Sequence, residues 1–221
     1  MLMSEASSIT LAGKIVEGIK EAGESLGPGY LQLAARNSAD FFAKRIGEKS
    51  PEIRDLDEAL KYVSSKIKSY LNGYSAFAYG AMKAESTIQG ATGAVIRVVA
   101  KTATANFFDA SGLGKALGSA SDSSQALTKY YGLLTKLGSM KQQDLKFTGS
   151  NGVLDLEVDN CPYADACTAL VAEGVPRILG GHECVRILSF ATIVQVMTGR
   201  QQDYKLTTLS PPKCRGEILE A

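Results

Sequence analysis

The residues best suited to chemistry lie from position 160 onward. The segment NCPYADAC, Asn160 to Cys167, carries two of the chain's four cysteines in a C-x5-C spacing. The only histidine, His182, follows inside GGHEC beside Cys184, and Cys214 completes the set. Thiolate and imidazole are soft or borderline donors that suit tetrahedral Zn2+. Cys161, Cys167, His182, Cys184 and Cys214 are therefore candidate metal ligands, of which any four would fill a site. The spacing is not the C-x2-C of a zinc ribbon. Cys-Pro also occurs beside iron–sulfur ligands, so a cluster on four thiolates is the alternative cofactor. Free cysteine is also among the most buried residue types, and four thiols could equally be core or pocket residues. Thiol redox exchange lacks its C-x-x-C signature.

Other catalytic arrangements find little support. A Ser–His–Asp or Cys–His pair would have to use His182, and Cys184, two positions on, would point elsewhere on a helix. The glycine strings GLGKALG and GATGAV lack the Gly-Lys-Ser/Thr of a phosphate loop. With 24 basic against 23 acidic residues and no run of like charge, neither nucleic acid nor an anionic membrane is expected as partner. No stretch of about 18 apolar residues exists, so no transmembrane helix is expected. The N-terminus, MLMSEASSITLAGKIVEGIKEAG, lacks the basic-then-apolar layout of a signal peptide. A cytoplasmic protein is expected, and reduced thiols there read as metal-binding or reactive before they read as disulfides.

These residues need elements to position them. Helical spacing over 7 to 25, with Ile9, Leu11, Ile15, Val16 and Ile19, stops at Gly27-Pro28-Gly29. A second helix is predicted from Tyr30 to Ile46. A third, capped by Asp55 or Asp57, runs through Leu60, Val63, Ile67 and Leu71 to Gly73. YSAFAYGAM, Tyr74 to Met82, alternates weakly and is predicted as a strand. GAVIRVVAKTATANFF then repeats the double phenylalanine of Phe41-Phe42 at Phe107-Phe108. The segment GLGKALGSASDSS is predicted as a loop, and QALTKYYGLLTKLGS as a helix whose Ala126-Leu127 echoes Ala59-Leu60. The pattern reads as a diverged duplication of a helix–loop–helix–strand unit.

From Asp144 the period changes to two. DLKFTG and VLDLEV flank Gly149-Ser150-Asn151-Gly152, whose Asn-Gly pair marks a tight hairpin. Cys184 to Thr198 is predicted as a helix, DYKLTTL as a strand, and Gly216 to Leu219 as a short closing strand. The fold class is α+β: a helix-rich N-terminal half, then an antiparallel sheet packed with helices. Two regions are expected, 1–88 helical and 89–221 carrying the candidate site. The aromatics Phe77, Tyr79, Phe107, Phe108, Tyr130 and Tyr131 suit a core or an apolar pocket.

The last 80 or so residues resemble the 4-vinyl reductase-type domain, also called the hydrocarbon-binding domain. The resemblance rests on a hairpin strand ending in Val158-Asp159-Asn160-Cys161-Pro162-Tyr163, a cysteine opening an apolar helix (Cys184 to Thr198), and a strand leading to Cys214. The helix Gln125 to Leu137 also fits. The family usually closes with Glu-x-x-Cys, then Gly-Asp and a final cysteine. Here Ser210 stands near the glutamate's place, Gly216-Glu217 near the Gly-Asp, and the final cysteine is absent. The resemblance implies a module that binds a small apolar molecule between helices and sheet, sometimes with a metal at the cysteine-bearing edge, and often dimeric. No nucleotide fingerprint accompanies the family's reductase name. The expectation is a non-catalytic binding or sensory homodimer with a Cys/His zinc site. An iron–sulfur or thiol-based factor, and an interaction subunit with buried cysteines, are the alternatives.

Overall fold

The computed structural model describes residues 4–88, 94–136, 140–150, 152–175 and 184–221. Helix α1 (Glu5–Leu26) starts where the Ser4 hydroxyl accepts the Ser7 N–H at 3.1 Å, and it stops at Gly27, whose φ of 84° suits glycine. Pro28 opens α2 (Pro28–Arg45), where its missing N–H costs nothing. Asp55 caps α3 (Leu56–Lys66) by accepting from Asp57 and Glu58 N–H. Two 3-10 turns, Ile67–Ser69 and Leu71–Tyr74, lead into α4 (Ser75–Ser86). Then come α5 (Ala94–Ala110), the short α6 (Leu113–Leu117) and α7 (Ser123–Lys136). A reciprocal cap precedes α7: Asp122 accepts the Gln125 N–H at 2.8 Å, and Gln125 accepts the Ser121 N–H at 2.9 Å.

The expected hairpin is present as β1 (Leu145–Ser150) and β2 (Val153–Val158). Asn151 of its turn lies outside the described residues. Helix α8 (Ala164–Ala172) and helix α9 (Val185–Thr198) come next, then strands β3 (Gln202–Ser210) and β4 (Lys213–Glu220). The sheet runs β1-β2-β4-β3, antiparallel throughout, with Leu154 opposite Ile218, Val158 opposite Cys214 and Tyr204 opposite Ile218. A register shift falls between Leu206 and Thr208. The α+β class expected from sequence is thus observed. Among the described residues no helix is long and apolar enough to cross a membrane.

Three expectations fail. The third helix does not run to Gly73: α3 ends at Lys66, and the two 3-10 turns take its place. Tyr74 to Met82 is not a strand: the chain there enters α4, and every residue from Gly73 to Met82 is buried. A helix hidden on all sides shows no amphipathic period, and a short apolar run cannot be told from a strand by spacing alone. The duplicated helix–loop–helix–strand unit therefore lacks its strand in the first copy. The predicted loop after α5 also contains α6, held at Gly112 and Gly118, both at positive φ.

Small residues set how closely these elements approach. Helix α4 lies on α2, and a Cβ on Gly80 would stand 2.0 Å from Ser38 Oγ and 2.5 Å from the Ala34 carbonyl oxygen. On the other side of the molecule α9 lies on β3 and β4, where a Cβ on Gly216 would meet Ile187 Cδ1 at 2.5 Å and the Lys205 carbonyl at 2.5 Å. Helix α1 runs along α5, and α5 also touches α9. One hydrophobic core joins all of them. Gly80→Ala should cost about 1–3 kcal/mol in urea unfolding, the usual penalty for overpacking. Gly29→Ala, with nothing within 4 Å of the added methyl, should change stability by no more than about 0.5 kcal/mol.

Candidate functional site

Five helices meet without filling the space between them. They leave a cavity of about 410 Å3 between α1, α4, α5, α7, α9 and the loop that follows β2. Its apolar wall comes from Leu11 and Ile15 of α1, Ile96, Val99 and Phe107 of α5, and Leu134 of α7. Each sits on the inward stripe of its helix, as the sequence spacing of α1 and α5 requires.

The remaining wall is polar. Tyr74 enters from the turn before α4, Tyr130 from α7, Tyr163 from the start of α8, and Arg186 from the first turn of α9. The three tyrosines are 3%, 8% and 5% exposed. Burial pushes all three phenols well above their ordinary range, so each hydroxyl keeps its proton. The Arg186 guanidinium acts in the opposite direction on each and is outweighed. Arg186 lies over the Phe190 ring at 4.5 Å, and one of its Nη atoms donates to Met140 Sδ at 2.6 Å. Its Nε–H is buried with no partner among the described residues.

The candidate ligands can now be placed. Cys161 follows β2 and lines the cavity, and its N–H donates to the Pro212 carbonyl at 3.5 Å, tying the β2 loop to the β3–β4 turn. Cys167 is buried within α8, and Cys214 is buried on β4 opposite Val158. Cys184 caps α9, its Sγ accepting the Ile187 N–H at 3.5 Å. His182 lies outside the described residues. All four cysteines are free thiols. The fold brings them into one neighbourhood, close enough that Cys184, Cys161 and Cys214 each disfavour the thiolate of Cys167.

Among the described residues no three Cys, His, Asp or Glu side chains stand together closely enough to hold an ion. Without a metal, burial keeps these thiols protonated. Burial raises Cys161 to about 11 despite the opposing charge of Arg186, and burial with Cys161 nearby raises Cys184 to about 12. Burial also lifts Cys167 and Cys214. Neutral thiols are poor nucleophiles.

Of the aromatics singled out from sequence, Phe77 and Phe108 are core residues, while Phe107 and Tyr130 line the cavity. Tyr79 instead donates to Glu173 at 2.7 Å, and Tyr131 donates to the Lys141 carbonyl at 2.8 Å. Arg186 escaped the sequence reading. Its signal was present: VRILSFATIVQVMT contains no other charged residue.

A raised thiol pKa leaves less thiolate at a given pH, which makes a kinetic prediction. At about pH 8, Cys161 should react with iodoacetamide about a hundredfold more slowly than a free cysteine of ordinary pKa. Its rate should still be climbing between about pH 9 and pH 11, where free cysteine has levelled off. Peptide mapping of the alkylated native protein reads both, with urea-unfolded protein as the ordinary-rate control.

No protein-family model, curated protein or solved structure matches the chain.

Proposed function

We propose that the protein binds a small, largely apolar molecule in the cavity between α1, α4, α5, α7 and α9, without catalysing its conversion. The observation that carries this reading is the cavity. Protein interiors hold few voids larger than a water molecule, yet here about 410 Å3 stays open inside a continuous core. That is within the roughly 300–1,000 Å3 of small-molecule sites, and aliphatic and aromatic walls with a few converging polar groups are their usual lining. Catalysis is left out because the thiol on the wall, Cys161, is held protonated, and no described histidine stands beside it or beside the wall's serines and threonine to act as a base. The resemblance to the hydrocarbon-binding domain implies the same role.

The chain has no tryptophan, so a fluorescent apolar probe can be read without that background. Neutral 1-aminoanthracene should gain emission saturably at one molecule per chain. Ala103 lines the cavity, and Ala103→Phe should weaken the probe at least about tenfold by occupying its space. Failure of the native protein to bind, or equal binding by the variant, overturns the reading.

A second reading is favoured by the gathering of four thiols around Cys161. A structural zinc, or an iron–sulfur cluster in its place, would draw on Cys161, Cys184 and Cys214 with Cys167 or His182, and it requires those side chains to close inward. Native mass spectrometry of protein purified without chelator tests it. One zinc per chain in a homodimer is the expected result, and a metal-free protein ends this reading while leaving the first intact.

A further inference from the structure

We propose that the ligand of this cavity carries a single anionic headgroup, a carboxylate, seated against Arg186. The inference rests on the ligand-binding reading and narrows it. Arg186 is the one charged residue of α9 and projects from a helix that is otherwise apolar. Among the described residues, no carboxylate forms an ion pair with its guanidinium. Its described partners are the Phe190 face and the thioether of Met140, a weak acceptor, and no described residue accepts its Nε–H. Arg186 is half-buried, and a partly desolvated charge without a counter-ion carries a cost that a bound anion offsets.

The groups around Arg186 are donors. No hydrogen bond to another described residue engages the hydroxyls of Tyr74, Tyr130 or Tyr163, and all three rings lie within the reach of the Arg186 charge. Three protonated phenols and one guanidinium can all donate to the same oxygens. Two acids also line the cavity, and both are occupied. Asp144 accepts the Lys141 N–H at 2.7 Å, while Asp159 accepts the Asn160 N–H at 2.8 Å and pairs with Lys213 at 3.1 Å. They sit on the loops at the cavity's edge and leave the guanidinium without a partner.

The headgroup follows from charge and shape. One guanidinium offsets one negative charge, so a doubly charged phosphate would leave a charge uncompensated. A carboxylate is planar and matches the two parallel N–H bonds of the arginine fork. An ammonium would meet a cation and no acceptor. The body of the ligand lies on the aliphatic side formed by α1 and α5.

Calorimetric titration with 2-naphthoate and its neutral isostere 2-naphthamide tests the assignment. The native protein should bind naphthoate about tenfold to a hundredfold more tightly, the value of hydrogen bonds to a charged group. Arg186→Gln should bind the two with equal affinity. Arg186→Lys, which keeps the charge and loses the fork, should retain part of the preference, and it serves if the glutamine variant does not fold. Equal binding of both compounds by the native protein overturns the anionic headgroup while the cavity reading stands. An unchanged preference in either variant assigns the anion to another group and overturns the role of Arg186. If neither compound binds but 1-aminoanthracene does, the headgroup proposal alone is lost, whereas failure of all three removes both.

Discussion

The enclosure of most of α9 between the sheet and the neighbouring helices is the constraint from which the rest of this structure follows. A helix whose residues are apolar all round cannot lie on a surface. It must be covered, and here β3 and β4 cover one side while α5 and α7 cover the other. The sheet side depends on Gly216, since any side chain there would collide with Ile187. Among the described residues, the single arginine of this helix forms no ion pair with a carboxylate. The first turn of α9 also fixes Cys184 at the junction of helix, sheet and β2 loop. The position of the cavity's polar corner is thus set by the same packing that forms the core.

The cavity persists because its walls are stiff and poorly matched. Tyr74 meets Tyr163 edge to face at 5.6 Å, and Tyr130 contacts both Phe108 and Phe190 at 6.3 Å. Aromatic rings in such contacts prefer a few geometries and resist collapse into a neighbouring void. The small-residue seams work in the other direction. Helices α2 and α4 approach closely through Gly80, Ser38 and Ala34, while the cavity opens where α1, α5, α7 and α9 meet.

Much of this was legible in the sequence where a period or a cap carried the information. The hairpin was readable because VLDLEV alternates and β2 buries Leu154, Leu156 and Val158 on one face. The α1, α3 and α9 boundaries were readable from Gly27, Asp55, Cys184 and Gly199. Helix α4 was not, because burial on all sides erases the pattern that distinguishes helix from strand. The cysteines were correctly seen as residues that converge. Their separation was not readable, since it depends on side-chain positions at the ends of β2, α8, α9 and β4 that no spacing encodes. Arg186 was overlooked because a single charge in an apolar helix looks like an interruption until the helix is known to be buried.

The thiols and the arginine are joined by electrostatics, and this links the two functional readings. Arg186 already favours the thiolate of Cys161, and burial outweighs it. In that state the corner holds one positive charge and neutral donors, which suits an incoming anion. A zinc site would invert the arrangement. Three or four thiolates around one divalent ion carry a net negative charge, and metal binding forces deprotonation whatever the free thiol prefers. Arg186 would then face its counter-ion within the protein and no longer need one from a ligand. Metal loading and anion binding therefore draw on the same cation. Whichever is established first weakens the other, so a chain that did both would couple them negatively through Arg186.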